Sequence, residues 1–88
     1  MPTLFIPIEM RKLTNGAKSI EVAGITLRDA VSELNGLFPG IQDEIFSGTR
    51  IRPGLAAVID GEQTVEGPRA KLKINSEVHF LKPISGGC

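Results

Sequence analysis

Ile25-Thr26-Leu27-Arg28-Asp29-Ala30-Val31-Ser32-Glu33-Leu34-Asn35-Gly36-Leu37-Phe38-Pro39-Gly40 is the stretch whose reading decides the fold. Leu27, Ala30, Val31, Leu34, Leu37 and Phe38 recur at three- and four-residue spacing, which gives a helix one apolar stripe. Arg28, Asp29, Ser32, Glu33 and Asn35 cover its other face. Thr26 is a good N-cap, Asp29 completes a short-armed capping box, and Ile25 and Ala30 stand at staple positions. Pro39-Gly40 ends the helix. A single helix with one apolar side needs a sheet to cover it.

The flanking segments supply strands. From Thr3 to Arg11, Leu4, Ile6, Ile8 and Met10 alternate with Phe5, Pro7 and Glu9, a period of two that reads as a strand. Pro7 cannot donate to a ladder, so an irregularity is expected there. Asn15-Gly16 is a turn signal, and a second strand with Ile20 and Val22 inward completes a hairpin. After the helix, Ile41 to Phe46 reads as a short helical turn and Ser47 to Gly54 as a surface loop. Leu55 to Ile59 reads as a strand ended by Asp60-Gly61, which is taken as a turn signal and nothing more. Gln63 to Glu66 gives a brief strand before Gly67-Pro68. Glu77 to Lys82 is the last strand, after a turn at Asn75-Ser76.

This order predicts an α+β chain, a mixed sheet of four to five strands packed on one main helix. If the first and last strands pair in parallel, the last lies centrally. That is the β-grasp arrangement. The expected division is a β-grasp domain over 1–83 and a flexible Gly-Gly tail over 84–88.

Composition narrows the function. The chain has 88 residues, enough for one domain with a single modest core. Ten basic residues balance ten acidic ones, which points to neither nucleic acid nor an anionic membrane as partner. No apolar run approaches the roughly 20 residues of a bilayer span. The first residues lack the basic and apolar regions of a signal peptide, so a cytoplasmic setting is expected. One cysteine excludes an internal disulfide and any cysteine-based zinc or iron–sulfur cage.

Gly86-Gly87-Cys88 follows the apolar strand Val78-His79-Phe80-Leu81. Two residues without Cβ atoms can stay extended in a channel too narrow for side chains. Such an end suits a carrier whose carboxylate is presented to a partner's active site. Terminal fraying is the ordinary alternative. Leu81, Pro83 and Ile84 stand beside the tail and are candidates for an apolar docking patch. His79 lacks partners for a catalytic or metal role and reads as a surface residue. Arg11, Lys12, Arg50 and Arg52 could form a basic rim, although scattered arginines are more often simply solvated.

With these residues on the page, the chain resembles the ubiquitin-like sulfur carriers of the MoaD/ThiS/CysO family. The likeness rests on Ile6-Pro7, Thr14-Asn15-Gly16-Ala17-Lys18-Ser19, Gly24-Ile25-Thr26-Leu27, Phe38-Pro39-Gly40-Ile41, Ala57-Val58-Ile59-Asp60-Gly61 and Asn75-Ser76-Glu77-Val78 leading to Gly86-Gly87. Asn75-Ser76 departs from the Gly-Asp pair usual in the family at that turn. The resemblance implies a protein that is not an enzyme and binds no cofactor or metal. An E1-like adenylating enzyme would use ATP to activate the carboxylate of Gly87, with Gly86 letting the tail thread. Sulfur would then displace AMP to leave a thiocarboxylate.

The first forty-one residues look most like the cysteine-forming branch. That branch implies a cysteine-synthase-like acceptor and a zinc metallopeptidase of the JAMM type. Cys88 blocks the Gly87 carboxylate, and three readings of it stand open. It is an encoded residue removed before activation, which is preferred, or the attached cysteine product, or an engineered or meaningless overhang. The alternatives in function are the small subunit of molybdopterin synthase, partnered by the large subunit, and a ubiquitin-like interaction module that never carries sulfur.

Overall fold

The computed structural model describes residues 1–81. Strand β1 (Thr3–Phe5) pairs antiparallel with β2 (Ser19–Glu21), setting Leu4 opposite Ile20. On its other side β1 pairs in parallel with β7 (Glu77–Leu81), setting Leu4 opposite Val78. Strand β5 (Ala56–Ile59) runs antiparallel to β7 and carries the short β6 (Glu62–Gln63) outside it. The order β2-β1-β7-β5-β6 therefore puts the last strand at the centre of a five-stranded mixed sheet.

Helix α1 (Leu27–Leu37) begins with the capping box expected from Thr26 and Asp29. The Asp29 N–H donates to Thr26 Oγ1 at 3.2 Å, and the Thr26 N–H donates to Asp29 Oδ2 at 3.3 Å. Its stripe Leu27, Ala30, Val31 and Leu34 is buried with Leu4, Val22, Ala57, Val78 and Phe80 from the sheet side. Helix α2 (Ile41–Ile45), the short helical turn expected after α1, adds Ile41 and Ile45 to this core. No described helix is long and apolar enough to cross a membrane.

Besides the brief strand, which forms at Glu62–Gln63 rather than over Gln63 to Glu66, four readings need correction. The strand expected over Thr3 to Arg11 stops at Phe5, and Ile8–Thr14 winds into a 3-10 helix. Pro7 has no N–H to continue the ladder, so alternation is lost beyond Ile6 and Ile8 is 75% exposed. Thr14 anchors this excursion: its buried hydroxyl lies 3.1 and 3.0 Å from the carbonyls of Arg11 and Ala17. Asn15 and Gly16 then turn the chain at φ 55° and 85°, as their sequence predicts.

Next, Ser47 to Gly54 is not simply a loop. Phe46–Ser47 (β3) and Arg50–Ile51 (β4) pair as a small antiparallel hairpin, too short to show a period in sequence. Third, Ile25 does not staple the helix: it is 73% exposed. The helix start is held instead by backbone pairing, with the Leu27 N–H on the Ala70 carbonyl and the Leu72 N–H on the Ile25 carbonyl. Ala70 and Leu72 join the core through this contact. Finally, Leu37, assigned to the apolar stripe, is exposed at the end of α1.

Candidate functional site: the outer face of the sheet at the end of the central strand

In β7, Val78 and Phe80 point into the core while Glu77, His79 and Leu81 face away from it. The parallel register sets Phe5 beside His79, and their rings stack at 4.1 Å with an interplanar angle of 6°. His79 thus lies on the outer face as alternation predicts, as one half of an aromatic pair. Among the described residues no group of three or more His, Cys, Asp or Glu side chains is placed to hold a metal ion.

Beside this pair lies a groove of about 630 Å³. Pro7, Ile8 and Leu81 line it with the two rings, and Glu9, Arg11 and Lys18 supply its charged lining. The excursion after β1 builds one wall, because Pro7 turns Ile8 out of the sheet. The Arg11 guanidinium is tied back, its Nε donating to the Ile6 carbonyl at 3.1 Å. Leu81 is 51% exposed where the described part of β7 ends. Apolar surface with basic and acidic margins can bury against a complementary protein surface and hold it in one register.

The three arginines weighed as a possible rim are divided between sites. Arg11 lines the groove, Arg50 lines a separate recess with Thr49 and Ile51, and Arg52 donates to the Asp43 carbonyl at 3.0 Å. Pro83, Ile84, Gly86, Gly87 and Cys88 lie outside the described residues.

One residue does more than its sequence reading allowed. Asp60 sits in the turn between β5 and β6 at φ 50°, followed by Gly61 at φ 89°. Its carboxylate also accepts the Glu77 N–H at 2.9 Å and the Ser76 hydroxyl at 2.8 Å. Ser76 Oγ in turn accepts the Lys73 N–H at 2.7 Å. The Glu77 N–H and the Ser76 hydroxyl hold the Asp60 carboxyl below its ordinary pKa, with a smaller contribution from the Lys73 charge, against a desolvation that acts upward. The Thr3 N–H meets the Ser76 carbonyl and the Asp60 N–H meets the Glu77 carbonyl, both at 2.9 Å. The start of the central strand is therefore pinned from both neighbouring strands.

A scan of protein-family models and a search of curated proteins find no match. Solved structures do match. A chain of the Amycolatopsis orientalis BexX/CysO complex superposes with a TM-score of 0.90 at 22% identity, covering 99% of this chain and 100% of that one. Mycobacterium tuberculosis CysO, an antigen, gives 0.89 at 22% identity over 96% and 100%. The chain has the β-grasp fold. The small archaeal modifier protein 1 of Methanosarcina acetivorans matches less tightly, with 0.78 at 21% identity over 98% and 95%. CysO thus stands both among these β-grasp structures and in the family that the sequence motifs resemble.

Proposed function

We propose that this β-grasp protein is a sulfur carrier whose working group is the Gly87 carboxylate, freed by removal of Cys88. The observation that carries the reading is the placing of Leu81, exposed beside an apolar groove at the end of the central strand. Gly86-Gly87 follows a few residues later in sequence. A partner gripping the groove holds the sheet, while the glycines, without side chains, enter its narrow active site. The BexX/CysO complex, a β-grasp likeness over nearly the whole chain, supports a life spent against partner proteins.

In the proposed chemistry an E1-like enzyme supplies ATP. The Gly87 carboxylate attacks the α-phosphorus, pyrophosphate leaves, and an acyl-adenylate forms. A sulfur nucleophile supplied by the partner system then displaces AMP and yields the thiocarboxylate. Carboxylate is a poor electrophile, and the mixed anhydride provides the missing leaving group. The thiocarboxylate carries its charge largely on a polarisable sulfur and attacks carbon while still tethered. A cysteine-synthase-like acceptor and a JAMM-type zinc metallopeptidase complete the cycle, in the cytoplasm. The carrier itself catalyses nothing and binds no cofactor.

The test compares AMP formation by the activating enzyme with chains ending at Gly87 and at Cys88. The chain ending at Gly87 is the substrate and the longer one is inert until trimmed. Equal turnover of both, or of neither, contradicts the assignment of Gly87.

A further inference from the structure

Arg28 stands in the first turn of α1, and Arg69 ends the 3-10 turn Gly67–Arg69. The fold brings both to the walls of one recess of about 180 Å³. Gln42 and Thr49 add an amide and a hydroxyl, and the buried Phe46 and Pro68 add apolar surface. Among the described residues no carboxylate lines it. Neither guanidinium has a hydrogen bond or ion pair to another described residue. This recess is separate from the groove beside Leu81, with which it shares no residue.

Both arginines are exposed, and two like charges on one recess with no carboxylate among its described lining residues disfavour each other. Arg28 also stands at the positive end of the α1 dipole, where a basic side chain is disfavoured and an anion is stabilised. A bound oxyanion relieves both conflicts together. Guanidinium groups match tetrahedral oxyanions through paired N–H donors, and Thr49 and Gln42 can supply further donors. Size narrows the ligand: the recess falls below the roughly 300–1,000 Å³ usual for cofactor and drug-sized sites.

From this convergence of unpaired arginines we infer that the recess binds a phosphate-type oxyanion, as free phosphate or as the phosphoryl group of a small metabolite. The site shares no described residue with the groove beside Leu81 and requires no sulfur chemistry.

The test is an amide NMR titration of the full chain with inorganic phosphate and, separately, with glycerol phosphate, each against sodium chloride at matched ionic strength. Saturable shifts are expected at Gly48, Thr49 and Arg69. Arg28→Gln or Arg69→Gln should weaken binding about tenfold or more, the loss of one charge-assisted contact. Lys71→Gln, which removes a cation outside the recess, should leave binding unchanged. Tighter binding of the ester identifies a phosphorylated metabolite as the ligand; tighter binding of phosphate identifies the free ion. Shifts that fail to saturate with both probes, that chloride reproduces, or that persist in the Arg28→Gln/Arg69→Gln double variant overturn the proposal. Amides remote from the recess report in the same spectra that each variant is folded.

Discussion

Asp60 and Ser76 lie sixteen positions apart, yet their side chains join the β5–β6 turn to the first residues of β7. Ser76 is only 2% exposed, so Ser76→Ala leaves the Lys73 N–H and one Asp60 oxygen without this partner. A loss of about 1–2 kcal/mol is expected in urea denaturation. Asp60→Asn tests the electrostatic part. Because the folded pKa is depressed, the contribution of the charge is complete above the ordinary carboxylate value of about 3.9. It fades as pH falls through the lower folded value. The wild-type and Asp60→Asn denaturation midpoints should therefore differ at neutral pH and converge in acid; a gap independent of pH contradicts the clamp. The turn itself was legible, because Asp-Gly tolerates positive φ. The clamp was not, since a carboxylate reaching a hydroxyl far along the chain leaves no periodic trace. Stacking of Phe5 on His79 was hidden for the same reason, as it depends on the register of two strands from opposite ends of the chain.

Helix α1 was readable almost to its boundaries because a cap, a stripe and a terminator agree within a single window. Thr26→Ala should cost about 1 kcal/mol through loss of the cap, read from the urea midpoint. Gly24, quoted only as part of a motif before the helix, is there for packing. A Cβ built there would meet the backbone N of Ala30 at 2.6 Å and its Cα at 2.9 Å. Neither atom can move without shifting the first turn of α1. Gly24→Ala is therefore expected to cost about 1–3 kcal/mol, the usual penalty for overpacking, and an unchanged midpoint would contradict this close approach. The first strand was overextended because the apolar alternation of Ile8 and Met10 continues past Pro7, where the backbone does not. Pattern reports which face a side chain would take if the strand persisted; the missing N–H decides whether it does.

At the scale of the molecule, the sheet divides its work between two faces. Leu4, Val78 and Phe80 hold the core against α1, and Phe5, His79 and Leu81 remain on the outer side beside the groove. Parallel pairing of the first and last strands puts β7 at the centre, a topology legible from element order once one helix and a mixed sheet were inferred. Leu81→Asp changes the outer face without touching the core. The denaturation midpoint should hold, while activation by the adenylating partner falls by at least about tenfold, as for loss of a central docking contact. Unchanged activation would remove the groove from the proposed docking role. The carrier reading itself is tested most directly by intact mass, on protein purified from cells that also contain the activating enzyme, the peptidase and a sulfur source. The account predicts loss of the Cys88 residue together with replacement of one oxygen by sulfur at Gly87. An unmodified mass with Cys88 retained under those conditions would contradict it.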